Sequence, residues 1–340
     1  MQTAERLASL ELALTPQVGA MSFLKLLQAF STATAVWSAS STQLQSIISS
    51  KAISAISTHQ GQEALQAALT WETQHSDNHL LCLVDDDYPI SLSEIYAPPP
   101  ILFARGDINL LQQPSVALIG SRHASASGLH ISHDLAAELS RHGVCIVSGF
   151  AAGIDTAAHQ GCVQAQGKTI AVLGTGIDRV YPAANRDLAH QISQSGLLLS
   201  EFPLGTAPIA HNFPRRNRII AGLAQAIIVV EATLESGSLI TARLGLEMNK
   251  EVMAVPGSIH NPQSKGCHAL IKQGAKLVEC VNDILEECPR LPQIRPVNEL
   301  TNEKSTPTTC INDSSPLLKA MGFDPIHPDQ LVDKLGISAT

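Results

Sequence analysis

The chain has 340 residues, of which 44% are hydrophobic, 15% charged and 4% aromatic, and its formal net charge is −8. Such a length and apolar share fill one large core or two to three modules and exclude a disordered chain. The acidic balance excludes a protein that is basic throughout, so contact with nucleic acid has to come from a local basic patch, with few rings available for base stacking.

Residues 1–80 read as a helical domain. Leu7, Leu10, Leu12 and Leu14 lead into the turn Pro16-Gln17-Val18-Gly19, and Leu24, Leu27 and Phe30 predict a second helix over Ser22–Phe30. The pair is similar to a helix-hairpin-helix or SAM-like unit, but it has one glycine where that motif usually has two, and a plain packed bundle is the favoured reading. The stretch from Asp85-Asp86-Asp87 to Pro98-Pro99-Pro100 reads as a turn-rich connector. Its acidic triplet reads as a solvated loop, because no further carboxylates recur at metal-ligand spacing.

From Ser115 onward, short apolar runs alternate with helical patterns. Strands are predicted at Val116–Gly120, Val144–Ser148, Thr169–Leu173, Leu197–Ser200, Ala226–Glu231, Glu251–Val255 and Lys276–Val278. Helices are predicted at Gly128–Arg141, Ile154–Gln166, Arg186–Ser195, Arg216–Ala224, Ser238–Asn249 and Cys267–Gln273. Strands that are apolar throughout are buried on both faces, the mark of a parallel sheet covered by helices. The expected fold class is α/β: an extended Rossmann-like, doubly wound, mostly parallel sheet over residues 81–288, preceded by the helical domain. Residues 289–313 read as a polar linker. Residues 314–340 read as a truncated winged-helix-like segment, stopping at Thr340 where a recognition helix would begin.

The cysteines Cys82, Cys145, Cys162, Cys267, Cys280, Cys288 and Cys310 are odd in number, widely spaced and form no CxxC. Neither a disulfide framework nor a zinc knuckle is expected, and a reducing cytoplasm fits. No basic stretch precedes an apolar core at the N-terminus, so no signal peptide is read. No apolar run approaches the roughly 18 residues that span a bilayer.

In a parallel α/β sheet, ligands sit at the carboxyl ends of the strands. The first of these loops, Gly120-Ser121-Arg122 through Gly128, offers backbone amides and an arginine to a phosphate. It lacks GxGxxG, and the second strand ends Val147-Ser148-Gly149 with no acid for a ribose, so no dinucleotide cofactor is expected. Asp155 and His159 read as a helix cap and a packed histidine rather than as catalysts. Leu173-Gly174-Thr175-Gly176 is a weak glycine-loop signal. The richest segment runs from His211 to Ile220, with Phe213, Arg215, Arg216, Asn217 and Arg218 and no acid. Arginines near a helix N-terminus oppose the helix dipole, which suggests anion contact. Guanidinium to phosphate and ring to base is the minimal kit for a single strand, while Phe213 could equally plug the core. Ser236-Gly237-Ser238 opens a further helix with amides turned outward. No nucleophile–base pair or metal-ligand cluster is evident, so neither an enzyme nor a metal site is expected.

Taken together, these loops resemble the DNA-processing protein A (DprA/Smf) family over roughly Asp87–Glu287. The resemblance rests on Gly120-Ser121-Arg122, the run from Ser148-Gly149-Phe150 to Asp155, Gly174-Thr175-Gly176, Ser200-Glu201-Phe202-Pro203, the string from Phe213 to Gly222, Ser236-Gly237-Ser238-Leu239-Ile240-Thr241 and Val255-Pro256-Gly257. It implies an extended Rossmann fold, homodimers, protection of single-stranded DNA in natural transformation, loading of the RecA recombinase and no catalysis. By the same resemblance Arg122 matches a DNA-binding arginine and Phe213 an aromatic that contacts bases, while Ala210 stands where the family often has lysine. The alternative is a nucleotide phosphoribohydrolase of the LOG/lysine-decarboxylase-like type. That reading lacks its working glutamate in Ser236–Arg243, with Glu247 a turn too late.

Overall fold

The computed structural model describes residues 3–292 and, beyond them, only Val332 and Leu335. Most of the expected linker and of the expected winged-helix-like segment therefore lies outside the described residues. The chain opens with six helices: α1 (Thr3–Leu14), α2 (Ala20–Phe30), α3 (Ala33–Trp37), α4 (Ser41–Gln45), α5 (Ser50–Ser57) and α6 (Gln62–Gln74). Hydroxyl caps start the short ones. Thr32 accepts from the Ala35 amide, Ser49 from the Ala52 amide, and Ser40 and Gln43 form a reciprocal capping box. Phe23, Leu26, Val36, Leu44 and Ile56 close a small core of their own. Helix α1 serves two cores, because Leu12 faces this bundle while Leu10 and Leu14 pack toward the sheet.

The rest of the described chain is one nine-stranded sheet with helices on both faces. In chain order the elements are β1 (Asn78–Cys82), α7 (Ile90–Ser93), β2 (Ile101–Gly106), β3 (Ser115–Ile119), α8 (Ala126–Arg141), β4 (Cys145–Ser148), α9 (Ile154–Gln164), β5 (Thr169–Val172), α10 (Arg186–Ser195), β6 (Leu197–Ser200), α11 (Asn212–Leu223), β7 (Ala226–Val229), α12 (Ser238–Glu247), β8 (Glu251–Ala254), α13 (Lys265–Lys272), β9 (Lys276–Leu277) and α14 (Val281–Glu287). Every strand predicted after Ser115 is present. The antiparallel pair β1–β2 was not predicted. It extends the sheet beside β6, and β1 runs across the expected domain division at residue 80.

The strand order is β1-β2-β6-β5-β4-β3-β7-β8-β9, and from β6 to β9 all pairings are parallel. The chain winds outward from β3 to β6. It then returns through α11 and places β7 on the other side of β3. Side chains alternate accordingly. Val116, Leu118, Ile146 and Ile228 pack under α8, α9 and α14, whereas Ala117, Val147, Ile227 and Val229 pack against α11, α12 and α13. Burial on both faces gives the continuous apolar runs seen in the sequence. Among the described residues no helix is long and apolar enough to cross a membrane, and no disulfide forms among the described cysteines.

Candidate nucleic-acid interface

The reversal of winding between β3 and β7 is a topological switch point, where the loops leaving two adjacent strands diverge. A solvent-open cleft of about 600 Å³ lies there. It is lined by Gly120, Ser121 and Arg122 after β3, Asp155 at the start of α9, Phe213, Arg216 and Asn217 on α11, and Ser236, Gly237 and Ser238 after β7. His211, Arg215 and Arg218 do not line it.

Phe213 carries the cleft's exposed chemistry. Its ring is half-buried, so it is neither a core plug nor a free side chain. It packs against Gly174, where an added Cβ would stand 2.7 Å from the ring carbon Cδ1. This close approach explains the glycine after β5. Tyr181 tilts against the ring at 5.7 Å between centroids. The exposed Arg122 guanidinium sits 5.1 Å from the ring centroid, in cation–π contact. The turn carrying Arg122 leans on Gly153, whose φ of +82° and contact with the Ser121 and Arg122 carbonyls leave no room for a side chain.

Arg216 and Arg218 correct the expectation that each arginine of the segment meets phosphate. Arg216 is 3% exposed, and its Nη1 donates to the carbonyls of Gly149 and Val172, tying the ends of β4 and β5 together. Its Nε donates to Asn217 Oδ1 at 3.1 Å. Burial raises the pKa of the neighbouring Asp155, and the Arg216 charge pulls it back. Burial also lowers Arg216, to about 10. Arg218 forms a two-pronged ion pair with Glu201, Nη1 to Oε1 at 2.5 Å and Nη2 to Oε2 at 2.7 Å, and its Nε donates to the Ala97 carbonyl at 2.7 Å. Arg215 also reaches Glu201, at 3.1 Å, but its side chain stays 46% exposed over the Phe202 ring. Of the four arginines, only Arg122 and Arg215 present guanidinium groups to solvent.

The loop after β3 holds a second correction, because the chain itself supplies an anion there. The buried Glu231, just past β7, accepts from the Ser125 amide at 2.8 Å and from the Ser125 hydroxyl at 2.6 Å. Its carbonyl accepts from the Ser121 amide at 2.8 Å. The His123 amide donates to Ser121 Oγ, and the Gly128 amide to Ser125 Oγ. A carboxylate thus occupies the N-terminus of α8, where a dinucleotide phosphate would lie in a Rossmann enzyme. Those amides are not available to a ligand.

Further positions complete the picture. Asp155 does not cap α9, whose N-cap is Gly153 with no side-chain cap; its carboxylate accepts instead from the Ala151 amide at 3.3 Å. His159 is packed as expected, fully buried with Nδ1 2.7 Å from Thr169 Oγ1. Burial holds its pKa down at about 3, helped by the charge of Arg216. His211 is exposed at the start of α11 and makes no capping bond. Ala210 lines the cleft with a methyl group where the family resemblance leads to lysine. In the loop after β7, Ser236 Oγ and Ser238 Oγ pair at 2.7 Å, and Gly237 stands open. Sequence reasoning missed Tyr181, Glu201 and Glu231. The two glutamates share a signal, an acid directly after an apolar strand run. Among the described residues no group of three His, Cys, Asp or Glu side chains could hold a metal ion.

A doubly wound sheet with an arginine over an aromatic ring at its switch point, and its own carboxylate on the nucleotide-phosphate seat, defines a Rossmann-like protein with an open cleft and no free nucleotide-phosphate seat there. Residues 79–289 match the profile of the family described as DNA recombination-mediator protein A, and the chain belongs to that family. It is 49% identical over 205 residues to DNA processing protein DprA of Streptococcus pneumoniae, covering 60% of this chain and 72% of the relative. The match spans 56% and 60% of the lengths of two further curated relatives. Among solved structures, DNA processing protein A from Streptococcus pneumoniae superposes with a TM-score of 0.72 at 39% identity, over 82% of this chain and 95% of the other. DNA processing protein A from Helicobacter pylori, described for its single-stranded DNA binding mode, superposes with a TM-score of 0.58 at 30% identity, over 64% and 97%.

Proposed function

We propose that this chain binds single-stranded DNA across the switch-point cleft, without catalysis. In this reading it works in the cytoplasm as a homodimer, protects the strand during natural transformation and recombination, and helps load the RecA recombinase. The observation that carries the binding reading is the exposed Arg122 guanidinium stacked over the half-buried Phe213 ring. A cation beside a partly open ring serves a phosphate and a base at once. The named binding mode of the Helicobacter pylori relative supports the same ligand. The recombinase, the dimer and the compartment rest on family membership, as do accessory roles for the helical domain at 1–80 and the segment at 314–340. The phosphoribohydrolase alternative finds no support in the geometry. Glu231 fills the phosphate seat, and Glu247 is exposed on α12, away from the cleft.

Salt titration of oligothymidylate binding, read by fluorescence anisotropy, tests the proposal. Arg122 in the cleft gives a log–log slope of about −0.7 per protomer, and about −1.4 if the strand also reaches Arg215 outside the cleft lining, at about 0.7 for each phosphate neutralised. Arg122→Ala should weaken binding and make the slope shallower by about one contact. Phe213→Ala should cost about 1–3 kcal/mol with little change in slope, because stacking releases no counterions. Wild-type affinity insensitive to salt, or unchanged in folded Arg122→Ala, would refute the proposal.

A further inference from the structure

Beside the cleft, on the outer side of α8 and α9, runs a second groove of about 600 Å³. Arg122 and His123 line both, so the groove and the cleft meet at the loop after β3. Its remaining polar lining is His130, His133 and Asp134 on α8, with Thr156 and Gln160 on α9. Asp134 stands between the two imidazoles, 3.2 Å from His130 Nε2 and 3.0 Å from His133 Nδ1. We infer that this groove is a second subsite for the sugar–phosphate backbone of the same single strand, reached past Arg122 and strengthened when His133 takes up a proton. The inference rests on the reading of the cleft as a DNA site.

The charge pattern supports a polyanion. The titratable and charged groups facing the groove are Arg122 and His123 from the loop after β3, and His130, His133 and Asp134 from α8. The facing side of α9 carries Thr156 and Gln160, and α14, which also packs on α8, contributes no lining residue. One carboxylate thus meets one permanent cation and three imidazoles. At neutral pH, arginine and carboxylate roughly cancel. A proton on His133 then tips the groove to a net positive charge. Hydrogen bonds to Asp134 and Gln164 push the His133 pKa upward and so favour its charged form. The Thr156 hydroxyl is committed to the Ala151 carbonyl and Asn185, whereas the exposed Gln160 amide suits phosphate oxygens and sugars, which is sequence-independent contact.

The test compares a short oligothymidylate of about 5 nucleotides, enough for the cleft, with one of about 20 that can enter the groove as well. Each is titrated between about pH 8 and pH 6, against wild type, His130→Gln/His133→Gln and Arg122→Ala. Both histidines lie on a helix surface, and thermal unfolding confirms that the double variant folds. The long strand should bind wild type about three- to tenfold more tightly at the acid end, beyond any change for the short strand, and the double variant should lose that gain. Short-strand binding should be the same in wild type and double variant. If the double variant keeps the full pH-dependent gain while Arg122→Ala weakens both strands, the groove inference falls and the cleft reading stands. If Arg122→Ala leaves both strands unaffected, the cleft reading fails and the groove inference with it.

Discussion

Arginines that line the same cleft differ in what their loss does to the molecule. Arg122 is exposed and holds no buried partner, so Arg122→Ala should shift stability by no more than about 0.5 kcal/mol. Arg216 neutralises the buried Asp155 and satisfies two strand-end carbonyls. Arg216→Ala should destabilise the fold by about 3–5 kcal/mol in urea unfolding, because it leaves an uncompensated buried carboxylate. Equal midpoints for the two variants would contradict this division of roles. His159 adds a pH dependence of known sign. Its folded-state pKa is about 3, against about 6.5 in the unfolded chain. Above that upper value both states are neutral and the histidine has no effect on stability. As pH falls below it, the unfolded chain takes a proton that the folded one refuses down to about pH 3. Stability should therefore drop by up to about 1.4 kcal/mol per pH unit across that window. His159→Gln should flatten this fall. Comparing the two proteins separates the histidine from Asp155, whose raised pKa works in the opposite direction.

At the scale of elements, the N-terminus of α8 is held by Glu231 rather than left for a ligand. Glu231→Ala should lower stability by about 1–3 kcal/mol by leaving buried donors unpaired. Inorganic phosphate should then raise the melting temperature of the variant and leave wild type unmoved, since an emptied helix N-terminus accepts an anion. A phosphate effect of the same size in both would show that the seat is not closed by the carboxylate. The parallel strands were legible in the sequence because two-sided burial forces unbroken apolar runs such as Ala226–Val229. Strands β1 and β2 were not. Their apolar runs flank the acidic triplet at Asp85 and the prolines at Pro98–Pro100, and turn chemistry there outweighed two short edge segments. The cleft's position was legible from the strand ends. The inward commitment of Arg216 and Arg218 was not. Their partners are Gly149, Val172 and Glu201 from other strands, and only the three-dimensional winding brings those to α11.

For the molecule as a whole, a chain of net charge −8 sets the exposed Arg122 guanidinium at the mouth of one cleft. Arg6 of α1 fastens the helical bundle to the sheet by reaching Glu72, Asp85 and the Leu80 carbonyl, so that mouth is presented from one continuous support. The mouth itself is open: Arg122, Pro208, Ala210 and Gly237 along its edge are all exposed. A strand can therefore be laid in sideways anywhere along its length and need not be threaded from a terminus. Circular single-stranded DNA should compete for the protein as well as a linear strand of the same length and composition. A marked advantage for the linear form in competition binding would mean that an end has to pass through a closed passage, which this cleft does not have among the described residues.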